Sequence, residues 1–260
     1  MAVARLRHRG DEGQRIPGRW MRRLGRTITH FAPQWSLAVE GTLPADIGRR
    51  GYVVVANHES VTDPLLLSWV PCDMRWIAKE ELFRMPLVGW AMRLSGDIPL
   101  RRGDGESIRE MMDACERSLA AGVPVMIFPE GTCSKSAELL PFKLGAFTLA
   151  IRAGVPILPL AVAGSRAMRA KGGMRLLAAD ACVCVLEPIS TEGLGEDDAP
   201  LLAERVRAHI TAALPELRAR YKAPRRPGEP ATPQVDTTIG VDGELAPVAM
   251  PVTPRRVARG

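Results

Sequence analysis

Residues 52–64 read YVVVANHESVTDP, a continuous apolar run followed at once by polar residues and a proline. An apolar run without polar alternation predicts a strand that is buried on both faces, as in a parallel sheet covered by helices. Pro64 suits the first position of a helix, and Asp63 suits the position that caps it. Because ligands of α/β sheets bind at the carboxyl ends of strands, His58 and Asp63 are the first candidates for chemistry.

The middle of the chain repeats this alternation of apolar runs and helical spacing. Further buried strands are predicted at residues 74–78, 125–128, 157–162 and 181–186. Apolar residues at helical spacing predict helices over residues 108–119, 143–153 and 201–217. The pattern indicates an α/β protein with a single mixed, largely parallel sheet covered by helices.

Composition divides the 260 residues into three parts. Residues 1–35 form a basic segment, and residues 36–222 carry the alternating pattern of a globular domain. Residues 223–260 contain seven prolines, no aromatic residue and no hydrophobic periodicity. Such a segment cannot bury enough apolar surface to offset the entropy lost on ordering, so it is predicted to be a disordered tail.

The basic segment predicts an amphipathic helix with Pro17 near its start. Its apolar residues recur at every fourth position, at Ile16, Trp20, Leu24 and Ile28. Its arginines fall on the other side, at positions 19, 22, 23 and 26. Such a helix suits the interface of an anionic membrane. Alternatively, it packs its apolar face on the domain and leaves its arginines in water.

The remaining composition argues against several classes of protein. The net charge of +6 is modest, and no interleaving of aromatic and basic residues indicates nucleic-acid binding. The five cysteines are odd in number and lack a C-x-x-C pair, so we predict neither a disulfide framework nor a zinc site. Because disulfides are typical of secreted proteins, we expect an intracellular protein. No apolar run reaches the ~20 residues of a membrane-spanning helix.

His58 and Asp63 have the residue types of a general base and its orienting partner. If the loop folds back before a helix that begins at Asp63, a carboxylate oxygen can reach one imidazole nitrogen. That bond would fix the tautomer and stabilise the imidazolium, so the other nitrogen could take a proton from a hydroxyl. The alternative is a capped helix beside a histidine in water.

Three further segments lie near predicted strand ends. In FPEGT, Gly131 permits a positive φ that aims later N–H groups at an anion, and Glu130 could accept a hydrogen bond from a polyol. In GDIPLRR, Arg101 and Arg102 carry guanidinium groups that suit phosphate. The alternative for FPEGT is an ordinary turn, and the alternative for GDIPLRR is a pair of arginines at the surface in water. In VPILPL, residues 155–160, the prolines predict an edge strand or a strand start.

In this order, the segments resemble the four sequence blocks of the glycerolipid acyltransferase family, the lysophosphatidic acid acyltransferases and their relatives. The family blocks are N-H-x4-D, G-x5-R, F-P-E-G-T-R-S and V-P-I-x-P, and the chain has NHESVTD, GDIPLRR, FPEGTCS and VPILPL. Residues 141–147 also resemble the stretch after the third block. The resemblance covers residues 36–190, and its first and third blocks are the specific ones.

The resemblance implies that residues 36–222 form an acyltransferase domain. It would move a fatty acyl group from an acyl-CoA or acyl-carrier-protein thioester to the free hydroxyl of a lysophospholipid. The expected acceptor is 1-acyl-glycerol-3-phosphate, which gives phosphatidic acid. His58 would be the general base and Asp63 its partner, with no cofactor and no metal. The protein is expected to be peripheral, on the cytoplasmic side of an anionic membrane.

By the same resemblance, Arg102 would contact the acceptor phosphate. Glu130, Gly131 and Thr132 would help to position the acceptor.

Cys133 departs from the family, because the third block has arginine there. Arg101, Arg102 or Lys143 could replace the missing phosphate contact. Alternatively, the acceptor is a different lyso-lipid, or Cys133 forms an acyl-cysteine intermediate. Two other functions stay open: a non-catalytic membrane-binding protein and a thioester hydrolase.

Overall fold

A computed structural model describes residues 15–134, 136–170 and 176–221, with side chains from residue 18 onward. The strands in these ranges are β1 (Trp35–Glu40), β2 (Val53–Ala56), β3 (Arg75–Lys79), β4 (Ile98–Leu100), β5 (Val125–Ile127), β6 (Ile157–Ala163) and β7 (Ala179–Val185). The α-helices are α1 (Arg15–His30), α2 (Asp63–Leu67), α3 (Glu80–Phe83), α4 (Val88–Ser95), α5 (Gly105–Ala120), α6 (Gly145–Arg152) and α7 (Ala199–Arg220). Short 3-10 turns span Ser165–Met168 and Glu196–Asp198.

The strands form one seven-stranded sheet in the order β1-β7-β6-β2-β5-β3-β4. Within the described residues, β6 and β7 are the antiparallel neighbours, and the other neighbouring pairs are parallel. This confirms the predicted single mixed, largely parallel sheet. Because β2 lies between β6 and β5, the loop that follows it opens at the middle of the sheet.

The sheet is covered by helices on both faces. All four β2 residues are fully buried, and alternate residues enter opposite cores. Val53 and Val55 contact the core formed with α5, α6 and α7. Val54 and Ala56 contact the core formed with α2 and β1. A strand buried on both faces needs apolar residues at every position, which is why YVVVA shows no alternation.

The prediction that β6 is an edge strand is wrong. It lies between β2 and β7, in the interior of the sheet. The other alternative is correct, because Pro156 directly precedes the strand start at Ile157. Pro159, which has no N–H, lies one residue before the antiparallel ladder with β7 begins at Leu160. The sheet therefore accommodates an internal proline at the point where its pairing changes.

The helix α1 presents three of its arginines, Arg19, Arg22 and Arg26, to the domain. Arg19 Nε lies 2.9 Å from Asp73 Oδ2, and Arg22 Nε donates to Asp73 Oδ1 at 2.9 Å. Arg26 donates to the carbonyl oxygens of Ser68 and Trp69, at 3.0 and 3.2 Å, just beyond the end of α2. Burial, the largest influence, lowers the pKa of Arg26 to about 10. These contacts hold α1 against the loop that follows α2.

The apolar side of α1 faces outward. Trp20, Leu24 and Ile28 each expose 44–47% of their surface, and Phe31, just after the helix, exposes 80%. The alternative that α1 packs its apolar face on the domain and leaves its arginines in water is therefore wrong. The physical reason is that Asp73 and the carbonyl groups after α2 require donors, which the guanidinium groups supply.

Two predictions fall partly or wholly outside the described residues. The disordered tail, residues 223–260, lies outside them, and so do residues 1–14 of the basic segment. Among the residues that the structure does describe, no helix combines the length and the apolar character needed to cross a bilayer.

Candidate active site

Three of the four sequence blocks meet at one edge of the sheet. The strands β2, β5, β3 and β4 are parallel neighbours, so the loops after their carboxyl ends lie together. His58 follows β2, Glu130 follows β5, and Arg102 follows β4. The fourth block begins β6, which is parallel to β2. Val155 therefore lies at the amino-terminal ends of these strands, at the opposite end from His58. The candidate site is therefore built from the first three blocks.

The loop after β2 folds back so that His58 and Asp63 form a pair. Asp63 Oδ2 lies 2.8 Å from His58 Nδ1. The same oxygen accepts the backbone N–H groups of Glu59 and Ser60, at 2.8 and 3.0 Å. Asp63 is fully buried, and it is the first residue of α2, with Thr62 in the capping position. Asp63 therefore does not cap the helix, as the sequence predicted, because the helix starts one residue earlier. Its carboxylate instead binds the backbone of the loop before the helix.

The other nitrogen of His58 faces a thiol. Cys133 Sγ lies 3.2 Å from His58 Nε2, and the Phe128 ring stacks on the imidazole at a centroid distance of 4.0 Å. Burial lowers the pKa of His58, but the hydrogen bonds to Asp63 and Cys133 outweigh this effect and raise it to about 9. The imidazolium is therefore the form that this arrangement favours.

Glu130 ties two loops together. Its Oε1 accepts the N–H of His58 at 2.7 Å, and its Oε2 accepts the N–H of Leu140 at 2.9 Å. The side chain is 4% exposed. Burial raises the pKa of Glu130, although both backbone bonds act in the opposite direction. In the structure the carboxylate is thus occupied by backbone donors rather than open to a polyol, and its role toward an acceptor stays a prediction.

The FPEGT turn offers donors beside the imidazole. Gly131 has the predicted positive φ, 72°, and a Cβ built on it would lie 2.9 Å from Lys143 Nζ. Within the described residues, the N–H groups of Thr132 and Cys133 have no hydrogen-bond partner. A cation and two unused N–H groups can bind an anion or a developing oxyanion.

The two arginines of the second block differ. Arg101 pairs with Glu80 at 2.8 Å and with Asp104 at 3.2 Å. Arg102 has no ion-pair partner among the described residues, and it lines the same cavity as His58. Arg102 is therefore the arginine that is available to a ligand.

The cavity has a volume of about 1050 Å³ and extends from the polar loops to α1. His58, Thr132, Cys133 and Lys143 line its polar end. Its apolar lining comes from α1, β3, α3 and α4, with Leu24, Ile28, Trp76, Leu82, Val88 and Met92 among its residues. A ligand with a polar head and a long apolar part matches this division.

Sequence reasoning missed a partly buried ion pair next to the loop that carries His58. Arg218, on α7, donates to Glu59 Oε1 from Nε at 3.1 Å and from a terminal nitrogen at 2.6 Å. Glu59 is 7% exposed, and burial raises its pKa although Arg218 lowers it. The pair joins the last helix to the loop that carries His58. Its two members are 159 residues apart, so no local pattern predicts it.

The geometry can be compared with known proteins. The Acyltransferase family model matches residues 36–163, which include all four blocks. The human 1-acyl-sn-glycerol-3-phosphate acyltransferase alpha is 39% identical over 168 residues, which is 64% of this chain and 59% of the human protein. The 1-acyl-sn-glycerol-3-phosphate acyltransferase of Saccharomyces cerevisiae is 34% identical over 176 residues, 66% of this chain and 58% of the yeast protein.

A solved structure agrees with these matches. The crystal structure of the 1-acyl-sn-glycerophosphate (LPA) acyltransferase, PlsC, from Thermotoga maritima has a TM-score of 0.67 and 28% sequence identity, across 78% of this chain and 80% of that chain. The chain spans less than two thirds of the human and yeast proteins. Since the family model covers the loops that bring His58, Asp63 and Cys133 together, residues 36–163 are identified as a domain of the Acyltransferase family.

Proposed function

We propose that the protein transfers a fatty acyl group from an acyl-CoA or acyl-carrier-protein thioester to the free hydroxyl of 1-acyl-glycerol-3-phosphate, giving phosphatidic acid. The observation that carries the proposal is the bond of 2.8 Å between Asp63 and His58 Nδ1, with Nε2 beside Cys133 and both His58 and Cys133 lining the cavity. The human and yeast relatives are named for this reaction, which supports the choice of acceptor.

The proposed reaction uses the residues at the polar end of the cavity together with the buried Asp63. The acceptor hydroxyl displaces the Cys133 thiol from His58 Nε2 and gives its proton to that nitrogen. Its oxygen forms a bond to the thioester carbonyl carbon, and the N–H groups of Thr132 and Cys133 bind the oxyanion. Collapse of the intermediate breaks the carbon–sulfur bond, and the leaving thiolate takes the proton back from His58. Asp63 stabilises the imidazolium that forms between these steps.

Two cations are proposed to bind the acceptor phosphate. Arg102 lines the cavity without an ion-pair partner in the described residues, and Lys143 lies over Gly131. Lys143 thereby supplies positive charge close to Cys133, where the family's third block has arginine. A charge-assisted bond contributes ~1.5–3 kcal/mol, so one well-placed lysine can offset one lost contact.

We also propose that the protein docks on the cytoplasmic side of an anionic membrane as a peripheral protein. The support is the outward apolar side of α1, with Arg23 exposed beside Trp20 at 5.1 Å. Exposed apolar residues next to arginines suit the boundary between headgroups and acyl chains. Co-sedimentation with anionic vesicles at rising salt tests this, and binding that is insensitive to salt would contradict it.

His58→Ala tests the enzymatic proposal. Purified protein is incubated with oleoyl-CoA and 1-acyl-glycerol-3-phosphate, and phosphatidic acid is quantified by mass spectrometry. We expect the variant to lose the activity, while His209→Ala on α7 retains it. Activity that survives in His58→Ala would refute the general-base role. A parallel panel of other lyso-lipids tests the alternative acceptors, and free fatty acid formed without any acceptor would instead indicate a thioester hydrolase.

A second mechanism is favoured by one observation, the distance of 3.2 Å between Cys133 Sγ and His58 Nε2. In this alternative, His58 takes the thiol proton and Cys133 attacks the thioester, forming an acyl-cysteine and releasing the donor thiol. The acceptor hydroxyl then attacks the acyl-cysteine. Intact mass spectrometry after incubation with oleoyl-CoA alone separates the mechanisms, because only the second adds an acyl group to the protein. Cys133→Ala abolishes transfer in the second mechanism and leaves it in the first.

A further inference from the structure

The hairpin formed by α3 and α4 carries an exposed apolar tip. Residues 84–88 are all exposed, and so is Trp90. Leu87 exposes 80% of its surface and Trp90 exposes 58%. Single exposed apolar residues are normal on a protein surface, but a run that contains methionine, leucine, valine and tryptophan marks an interaction site. We call residues 84–90 the 84–90 tip.

The backbone of the 84–90 tip is built to hold Leu87 outward. Leu87 has φ 62° and ψ −57°, and the Val88 N–H donates to the Pro86 carbonyl at 2.7 Å. This is the strained form of the γ-turn, which a leucine adopts only where the surrounding structure enforces it. Two residues later the chain packs closely on the end of α3, since a Cβ on Gly89 would lie 2.1 Å from the Phe83 carbonyl oxygen.

The 84–90 tip lies at the opening of the cavity that contains His58. Leu87 and Val88 line that cavity and are also exposed, so they lie where it meets solvent. Leu24 and Ile28 of α1 line it and are exposed in the same way. Two apolar surfaces, from separate parts of the chain, therefore flank one opening.

The charges around the 84–90 tip match an anionic surface. Arg84 has 69% of its side chain exposed and is paired with Glu80, and Arg93 is exposed beside the Phe83 ring. The acidic groups on the hairpin, Glu80 and Glu81, lie at its base in α3, and Arg93 lies at its base in the last turn of α4, so Arg84 is the charged residue within the tip itself. Apolar residues beside an exposed arginine fit the interfacial region of a bilayer that contains anionic phospholipids.

We propose that the 84–90 tip inserts into the interface of an anionic phospholipid bilayer and is a second anchor beside α1. The two anchors place the cavity opening on the bilayer, so that a lysophospholipid enters without crossing water. The inference rests on the proposed function, because a lipid acceptor is what the opening would admit.

The test compares Leu87→Asn with Leu201→Asn in the full chain. Leu201 lies on α7 and exposes 68% of its surface, so it is a matched control. Binding to mixed phosphatidylcholine and phosphatidylglycerol vesicles is measured by co-sedimentation. We expect Leu87→Asn to weaken binding by about tenfold, the effect of removing one inserted leucine, and Leu201→Asn to leave it unchanged.

Thermal unfolding separates insertion from a structural role. Asparagine tolerates positive φ better than leucine, so Leu87→Asn should keep or raise the thermal midpoint while it weakens vesicle binding. Undiminished vesicle binding would overturn the inference, and so would an equal loss in the Leu201 control. A lipid-free dimer that Leu87→Asn converts to a monomer would also overturn it, because a second copy would then cover the tip.

Failure of the inference can be told from failure of the proposed function. Short-chain 1-acyl-glycerol-3-phosphate and short-chain acyl-CoA dissolve in water, so transfer between them by the unaltered protein requires no membrane. Transfer in solution together with unchanged vesicle binding by Leu87→Asn would refute the 84–90 tip alone. Absence of transfer in solution would refute the proposed function, while the vesicle measurement still decides the tip.

Discussion

Asp63→Asn probes the electrostatics of the site, because Asp63 is the buried negative charge bonded to His58. The amide oxygen of asparagine can take the place of Oδ2 and keep the bonds from His58, Glu59 and Ser60. The charge that stabilises the imidazolium is lost. The amide NH2 then occupies the position of Asp63 Oδ1, which has no hydrogen-bond partner among the described residues. An unsatisfied buried donor costs about 1–3 kcal/mol of folding stability, so activity is expressed per folded molecule.

The magnitude follows from the pKa of His58. A rise from 6.5 to about 9 corresponds to roughly 3 kcal/mol of imidazolium stabilisation; Cys133 contributes to it, and the largest favourable contribution comes from Asp63. Its loss lowers the pKa of His58 toward 6.5, and it destabilises the transition state in which the imidazolium forms. On the high-pH plateau, kcat/KM should therefore fall by roughly 100- to 300-fold. At pH 7 the deficit shrinks to roughly a few-fold, because the variant has more neutral imidazole than the unaltered protein.

The assay is the pH dependence of kcat/KM, followed by release of free CoA thiol from oleoyl-CoA in the presence of 1-acyl-glycerol-3-phosphate. The profile of the unaltered protein should rise up to about pH 9, which is the pKa of His58 in the free protein. Glu204→Gln, at an exposed position of α7, is the control and should leave the profile unchanged. A ratio of activities between the unaltered protein and Asp63→Asn that stays constant from pH 6 to 9 would refute the reasoning.

Three further predictions concern Arg102, Asp73 and the effect of His58 on stability. Arg102→Ala should raise KM for 1-acyl-glycerol-3-phosphate about tenfold more than KM for oleoyl-CoA, because it removes a charge-assisted phosphate bond, and equal changes would count against that role. Asp73→Ala leaves Arg19 and Arg22 without their carboxylate, so amide exchange in α1 should accelerate about tenfold or more while exchange in β2 stays unchanged. The pKa of His58 is raised from 6.5 to about 9, so its stabilising contribution is complete below pH 6.5 and is lost as the pH rises through about 9. The thermal midpoint should fall more across this window in the unaltered protein than in His58→Gln, and parallel falls would contradict the assignment.

The sheet and the His58–Asp63 pair could be predicted because each leaves a local signal. A strand buried on both faces must be apolar throughout, and the loop after β2 holds both residues of the pair within six positions. The strand β4, Ile98–Leu100, was not predicted. It is three residues long with Pro99 at its centre, so its sequence resembles a turn. Its neighbour β3 confers strand geometry that the residues themselves do not encode.

The orientation of α1 could not be predicted in the same way. Amphipathic spacing shows that two sides of a helix differ, but it does not show which side meets the protein. A weak signal exists in Gly18 and Gly25, which are seven residues apart and therefore share one side. A Cβ on Gly25 would lie 2.8 Å from the Ser68 side chain, and one on Gly18 would lie 3.1 Å from Arg75. Small residues on the arginine side thus mark the side that approaches the domain closely.

The outward apolar side of α1 and the position of His58 within the cavity both bear on how an acceptor with a long acyl chain would reach the site without entering water. Moving a long acyl chain from a bilayer into water costs about 0.8 kcal/mol for each methylene group, so an acceptor that crossed water would be rare at the site. A cavity that opens between α1 and the 84–90 tip removes this cost if both surfaces lie in the bilayer interface. The acceptor hydroxyl then reaches the imidazole while its acyl chain stays in apolar surroundings. Under this proposal, the contacts of Arg19, Arg22 and Arg26 with the domain leave the apolar side of α1 free to enter the bilayer interface.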